Sequence, residues 1–295
     1  MRPMSDTLET WILRTMYPTH YQPVHFGSGY FRSLINLGSG MTPVRSAVAM
    51  LVRFSVVFSL LMVLPESASA LGWTGTDLNG VRCTGKGQGF GPWDFYDVDE
   101  PSDPDYYDGR WWEGKKVHAD PGFAAMNDDP FDQGAYNRAA QEFDYLLRAY
   151  PNHPAILQGV VQLELKRLKS SRKLAGWQTP PECYLRRAQT FRPDQPHIYQ
   201  LMGIYLQKLD HTEKAIQFYK RALAANPRSA EIHYNLGLAY FDIGEHLLAA
   251  VCGRQAYKLG YPLPGLQRKL ERSGFSADSM SDEQQCDYED SDSGW

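Results

Sequence analysis

The sequence has little of what several common classes of protein require. Its 295 residues include four cysteines, Cys83, Cys183, Cys252 and Cys286. They are too few and too widely spaced for a disulfide-dense miniprotein, and no two form the close pair typical of a zinc site. Lysine and arginine total 30 against 34 acidic residues, so no strong field attracts nucleic acid or an anionic membrane surface. Neither partner is predicted.

The chain also lacks an apolar run long enough to cross a membrane. Residues 54–64 form an apolar run of eleven residues, whereas a spanning helix needs about 20. Arginines precede this run, Pro65 ends it, and the small residues up to Ala70 suit a cleavage site, which is the pattern of a secretory signal peptide. We predict a signal peptide at 41–70 and export to the periplasm or cell envelope, with an uncleaved membrane anchor as the alternative. Residues 1–40, unusually long before a signal peptide, are predicted to be a non-native or disordered extension.

No catalytic arrangement is visible. The histidines show no metal-ligand spacing, and no Gly-x-Ser-x-Gly motif or Cys/His pair suggests a nucleophile. The glycine-rich stretch 85–91 lacks the Gly-Lys-Ser/Thr ending of a phosphate loop. The acidic stretch 97–108 resembles a calcium loop, but Pro101 and Ser102 replace the required ligand and turn glycine, which leaves at most a weak, fortuitous site. We predict no enzyme, no cofactor and no metal.

Small residues recur at a fixed interval in the second half of the chain. Gly203, Ala215 and Ala222 are followed 34 residues later by Gly237, Ala249 and Ala256. This is the period of a tetratricopeptide repeat (TPR), whose two antiparallel helices cross so closely that only Gly or Ala fits. Residues 197–227 match one complete repeat, which Pro227 ends. The next unit has Gly253 where an aromatic residue or leucine is usual.

Further helical patterns flank these two units. Residues 155–165 and 182–193 resemble an earlier repeat with a long loop. Residues 139–151 resemble the second helix of an incomplete unit, and 265–274 a terminal helix that covers the exposed end of the stack. We predict an all-α fold, a TPR helix-turn-helix solenoid of about three repeats plus a capping helix, at 137–274. An irregular Gly/Asp/aromatic-rich segment is predicted at 71–136 and a disordered acidic tail at 275–295.

Motifs outside the repeat pattern resemble those of a protein family. They are Cys83-Thr84-Gly85, Gly91-Pro92-Trp93-Asp94-Phe95, Tyr150-Pro151-Asn152-His153-Pro154, Glu182-Cys183-Tyr184 and Gly260-Tyr261-Pro262-Leu263-Pro264-Gly265-Leu266. The chain resembles a family of small TPR proteins of Gram-negative bacteria that have a signal peptide and no established activity. The resemblance implies a disulfide between Cys83 and Cys183, and the alternative is four independent thiols. For Cys252 and Cys286 we expect free thiols, one buried in a helix and one in the solvated tail.

Stacked first helices create a concave groove. In TPR proteins, which this chain resembles, first-helix residues grip partner peptides, and the matching positions are Gln200, Ile204, Lys208, Tyr234, Asn235, Leu238 and Asp242. The amide of Asn235 can both donate to and accept from an extended backbone; the alternative is a solvated face without a ligand. We therefore predict an exported scaffold that binds a peptide or protein in this groove. The alternative is a structural or assembly protein of the cell envelope whose groove holds its own N-terminal segment.

Overall fold

Paired antiparallel helices make up most of the computed structural model. It describes residues 71–87, 90–97, 113–128, 132–170, 175–176 and 179–275, together with Cys286. In these residues the α-helices are α1 Asp120–Asp128, α2 Gln133–Ala149, α3 Pro154–Lys169, α4 Pro181–Phe191, α5 Pro196–Lys208, α6 Thr212–Ala225, α7 Ala230–Asp242, α8 His246–Lys258 and α9 Gly265–Arg272. A π-helical stretch, Glu113–Ala119, leads directly into α1. The predicted all-α helix-turn-helix solenoid is confirmed, while the predicted extension and signal peptide lie outside the described residues.

The local sequence sets where many of these helices begin. Pro154, Pro181 and Pro196 open α3, α4 and α5, where proline fits because the first N–H of a helix has no partner inside it. Asp132 caps α2 and Ser229 caps α7, each side chain accepting a hydrogen bond from the N–H three residues on, at 2.9 and 3.3 Å. The start of each of these helices could therefore be predicted from the proline or the capping residue in the sequence.

Glycines stand where the helices of a pair cross most closely. A Cβ at Gly203 in α5 would lie 2.6 Å from the ring of Tyr219 in α6. A Cβ at Gly122 in α1 would lie 2.7 Å from the ring of Phe143 in α2. The pair α1/α2 therefore crosses as α5/α6 does, and helix pairing begins upstream of residue 137, where we had predicted the array to start.

The capping helix α9 completes the last pair. In α8, Gly253 occupies the position that Tyr219 holds in α6, which leaves space beside Gly237 of α7. A Leu266 methyl carbon fills that space, lying 2.6 Å from the position of a Cβ on Gly237 and 3.1 Å from that of a Cβ on Gly253. Leu266 and Leu270 are both fully buried, so α9 supplies the large side chain that α8 lacks.

Residues 71–87 lie along α4, the second helix of its pair. A disulfide joins Cys83 to Cys183, with the two Cα atoms 5.5 Å apart, and this is the pairing that the family resemblance implies. The Thr179 hydroxyl donates to the Thr84 carbonyl oxygen at 2.8 Å. The irregular segment is thus fastened to α4 both covalently and by hydrogen bonds.

Arg187 of α4 holds the start of this segment. Its Nε donates to the Leu71 carbonyl oxygen at 3.1 Å and its Nη1 donates to the Leu147 carbonyl oxygen at 2.5 Å. The guanidinium also lies 5.3 Å from the centre of the Trp73 ring, within cation–π range. Burial lowers the pKa of Arg187 to about 10, so the side chain keeps its charge at neutral pH. It thereby binds the backbone at Leu71 and at Leu147 together.

Asn152, in the turn before α3, connects residues 90–97 to the array. Its Oδ1 accepts from the Phe95 N–H at 3.0 Å, and its Nδ2 donates to Asp94 Oδ1 at 2.7 Å and Gln195 Oε1 at 3.2 Å. Asp94 also forms an ion pair with Arg192. Because Asn152 is fully buried, each of these bonds replaces one that water would otherwise make.

A second disulfide joins Cys252 of α8 to Cys286. Our expectation of two free thiols is therefore wrong, and Cys286 is buried rather than solvated, with 4% of its surface exposed. The sequence pattern could not show this, because nothing in an acidic, serine-rich stretch indicates that one of its residues returns to a helix. Phe275, the first residue of the predicted tail, is ordered as well, because its N–H donates to the Leu270 carbonyl oxygen at 2.9 Å and its ring contacts His246. Apart from Phe275 and Cys286, the predicted tail lies outside the described residues.

Candidate functional site

The predicted groove residues lie on equivalent faces of α5 and α7. Gln200, Ile204 and Lys208 follow one another at four-residue intervals on α5, and Tyr234, Leu238 and Asp242 repeat the pattern 34 residues later on α7. Residues four apart are neighbours on one face of a helix. We call these six residues and Asn235 the concave face.

The accessibility of the concave face varies along its length. Ile204 and Leu238 in its middle are half-exposed, and Lys208 and Asp242 at the helix ends are exposed. Asn235 is only 6% exposed. An approaching chain would therefore meet two apolar side chains first, with charged groups at one end.

Gln200 is a buried polar residue of this face, with only 6% of its surface exposed. Burial raises the pKa of the neighbouring Glu231 carboxyl group, and a side-chain hydrogen bond from Gln200 opposes that shift. The amide of Gln200 is therefore directed at a carboxylate of the same chain, and a partner would have to displace neighbouring side chains to reach it.

Tyr234 is the least accessible of the predicted site residues. Its ring stacks on Tyr261 with the ring centres 4.0 Å apart, and 4% of its surface is exposed. Tyr261 comes from the turn between α8 and α9. A partner could reach the Tyr234 ring only by displacing Tyr261, so in this structure Tyr234 forms a wall of the concave face.

Asp242 links the ends of three helices. Its Oδ2 accepts a hydrogen bond from Gln207 Nε2 of α5 at 2.8 Å, and its Oδ1 lies 3.4 Å from Lys269 Nζ of α9. The three residues form one continuous polar edge from α5 through α7 to α9. Asp242 is thus already engaged within the chain.

The same face continues onto α9, which the sequence reasoning missed. Adding 34 to Tyr234, Asn235 and Leu238 gives Arg268, Lys269 and Arg272, and all three of these cations are exposed. We had assigned this helix only a capping role, although the repeat interval carried the signal. The sequence analysis therefore underestimated the positive charge at the C-terminal end of the concave face.

The described residues show neither a metal-binding cluster nor a membrane-spanning helix. No group of three or more His, Cys, Asp or Glu side chains in the described ranges is placed to hold a metal ion. No helix in this part of the chain combines the length and apolar character needed to cross a membrane.

Comparison with known proteins agrees with the helix pairing. The family model for the TPR repeat matches residues 211–244, which cover α6 and α7. The chain therefore contains a TPR repeat at these residues and has the helix pairing of the TPR fold. The TPR fold supports a protein-binding role.

One curated relative of this chain is the peroxisomal targeting signal receptor of Eremothecium gossypii. The two are 29% identical over 150 residues, which cover 48% of this chain and 24% of the receptor. The chain therefore spans about a quarter of the length of the receptor that it matches. The receptor's function is not transferred on this similarity.

Similar solved structures include MamA and a thermophilic TPR protein of Thermus thermophilus. The crystal structure of MamA is 20% identical, with 56% of this chain and 86% of that chain covered and a TM-score of 0.39. The Thermus thermophilus protein is 21% identical, with 52% of this chain and 80% of that chain covered and a TM-score of 0.39. No functional conclusion is based on either.

Proposed function

We propose that this chain is an exported scaffold that binds an extended peptide segment of a protein partner along its concave face. The observation that carries the proposal is the pair of half-exposed apolar side chains Ile204 and Leu238, which occupy equivalent positions on the first helices α5 and α7 with the exposed Lys208 on the same face. Such a face offers apolar contacts and a charged group together, which is how prefabricated grooves recognise extended peptides. No bond-making chemistry is involved.

The residues of the concave face have distinct roles in this proposal. Asn235 binds the main chain of the peptide through its side-chain amide. Ile204 and Leu238 contact an apolar side chain of the peptide, and Lys208 attracts an acidic one. Tyr234 packs against Tyr261, and Asp242 pairs with Lys269. These two residues therefore fix the shape of the concave face and do not themselves bind the peptide.

The name of the curated relative is consistent with this proposal. A targeting signal receptor binds a signal carried by another protein, and the similarity covers 150 residues, about the size of a repeat array. This supports a protein or peptide as the class of partner. It does not identify the partner, and the peroxisomal role stays with the relative.

The described N-terminal segment leaves Ile204 and Leu238 half-exposed. Residues 71–87 are bonded to α4, and residues 90–97 to the turns that Asn152 and Gln195 occupy. Residues 90–97 also touch the first turn of α5, where the Tyr96 and His197 ring centres lie 6.4 Å apart. The alternative, a groove filled by the chain's own N-terminal segment, stays a prediction for 98–112, which lie outside the described residues.

Export is supported by the cysteine chemistry. Both cysteine pairs, Cys83–Cys183 and Cys252–Cys286, are bonded. Disulfides persist in oxidising compartments and are rare in the cytosol, where thiols are kept reduced. Together with the signal-peptide pattern at 41–70, this supports the periplasm or cell envelope.

Site-specific photo-crosslinking in the native host tests the proposed groove. A photoreactive phenylalanine analogue replaces Ile204 or Leu238, and Ala224, an exposed residue of the second helix α6, serves as the matched control position. We expect a discrete protein adduct from the two groove positions and none from the control. Asn235→Ala should reduce the adduct several-fold, because it removes the amide without reshaping the helix.

Two results would count against the proposal. Adducts of equal yield at all three positions would show non-selective contact, and the absence of an adduct at Ile204 and Leu238 would show an empty face. An intramolecular crosslink from either position to residues 98–112 would instead establish the self-occupied alternative.

A further inference from the structure

We propose that the acidic segment at 287–295 of this chain docks on a cationic rim at the C-terminal end of the concave face. The cationic rim consists of Lys208, Arg268, Lys269 and Arg272. The proposal concerns contact within one chain and can be tested without any partner. Lys208 belongs to both the cationic rim and the concave face, but because the contact is measured without a partner, its failure would leave the proposed peptide binding untouched.

The cationic rim is continuous and carries excess positive charge. Gln207, beside Lys208, bonds to Asp242, and Asp242 pairs with Lys269 at 3.4 Å. Arg268 and Arg272 lie one turn apart on α9 and are exposed. Within the part of the chain that the structure describes, Lys208, Arg268 and Arg272 have no carboxylate partner. With Glu271 of α9, which accepts a hydrogen bond from Gln267 at 3.0 Å, two acids stand against the four cations.

The second disulfide tethers the acidic segment to α8, which packs against α9. The Cβ of Cys252 lies 3.4 Å, and a methyl carbon of Leu266 2.6 Å, from the position of a Cβ on Gly237. Cys252, which binds Cys286, therefore lies close to the buried Leu266 of α9, and the cations Arg268, Lys269 and Arg272 are carried on the exposed side of that same short helix. Nine extended residues span at most about 30 Å, so a chain that starts at Cys286 can reach the whole rim.

The composition of the segment complements the rim. Residues 287–295 contain four acids, at positions 287, 289, 290 and 292, and no lysine or arginine. Exposed ion pairs are individually weak. A short tether nevertheless raises the effective concentration of the segment to about millimolar, so several weak pairs act together. Salt should abolish the contact, since it screens exposed charges.

Carbodiimide crosslinking of the full chain, purified with both disulfides intact, tests the contact. This reagent joins lysine amines to carboxylates that touch them. We expect mass spectrometry to find Lys208 or Lys269 linked to residues 287–292 within one chain. The yield should fall at least fivefold in Asp287→Asn/Glu289→Gln/Asp290→Asn and in about 0.5 M salt, and remain unchanged in the control Asp278→Asn/Asp282→Asn/Glu283→Gln.

Nuclear magnetic resonance supplies a second readout that does not depend on lysine reactivity. The backbone amide signals of residues 266–272 should shift in the first variant and not in the control, and Arg268→Gln/Arg272→Gln should remove that difference. Equal shifts in both variants, or none in either, would overturn the proposal. A crosslink found only between two molecules would overturn it as well, because the segment would then dock on a second copy.

Discussion

Removing the disulfide between Cys83 and Cys183 should destabilise the protein strongly. The double substitution Cys83→Ala/Cys183→Ala is the cleanest perturbation, because both cysteines are buried and alanine introduces no polar group. The bond closes a loop with a sequence separation of 100 residues. In the chain-entropy model, losing such a loop costs about 4.7 kcal/mol at 25 °C.

The expected change in melting temperature follows from the size of the folded unit. For a domain of 150–250 residues, 1 kcal/mol corresponds to about 2–4 °C, so the variant should melt about 10–20 °C lower. The second disulfide, with a separation of 34 residues, gives about 3.8 kcal/mol in the same model. Cys252→Ala/Cys286→Ala is therefore the matched control, and its melting temperature should fall less.

Calorimetry measures both effects, and hydrogen exchange locates them. In Cys83→Ala/Cys183→Ala the loss of protection should concentrate in residues 71–87, which are fastened to α4. A melting temperature within about 3 °C of the parent chain would refute the entropic argument. A larger loss in Cys252→Ala/Cys286→Ala than in the first variant would refute the ranking by loop length.

Three further predictions concern acid stability, helix crossing and processing. Burial lowers the pKa of His153 to about 3 and that of His197 to about 4, below the ordinary 6.5. The unfolded chain therefore takes up protons first, and stability should fall as the pH drops from 6.5, by about 2 kcal/mol per histidine at pH 5; denaturant melts of His153→Gln/His197→Gln should show a flatter pH profile. Gly203→Ala should cost about 1–3 kcal/mol through overpacking against the facing tyrosine ring, which lies 2.6 Å from the new Cβ. Gly253→Ala should cost less in the same melts, because its Cβ would lie 3.1 Å from a methyl carbon of the buried Leu266. Intact-mass spectrometry of the protein from its native host should give a chain that begins at Leu71 and has no alkylatable thiol before reduction; an uncleaved chain with free thiols would refute export.

The sequence predicted the regular part of the array because close helix crossing imposes a visible constraint. Gly203 and Gly237 stand where a Cβ would lie 2.6 Å from a neighbouring side chain, so only glycine fits and the 34-residue interval appears in the sequence. The pair α1/α2 obeys the same constraint at Gly122, but the next crossing glycines follow after 37 and 44 residues. Insertions in the turns hide such a pair from a search at fixed period.

The sequence predicts which residues of the candidate site share a helix face, but it does not predict how exposed each of them is. The repeat interval placed Ile204 and Leu238 on one face, and the structure leaves both half-exposed. The burial of Tyr234 depends on Tyr261, which comes from a turn with no period of its own. The same interval, extended by one step, would have assigned Arg268 to this face. Predicting a contact made by a turn requires the tertiary fold, whereas predicting a shared helix face requires only the residue spacing.

Both disulfides attach irregular segments to second helices. Cys183 belongs to α4 and Cys252 to α8, while the concave face is built from the first helices α5 and α7. In the described part of the chain, the covalently anchored residues 71–87 leave Ile204 and Leu238 half-exposed. An array that frays at its ends would lose the shape of its groove, so anchoring at α4 and α8 favours the rigid binding face that we propose.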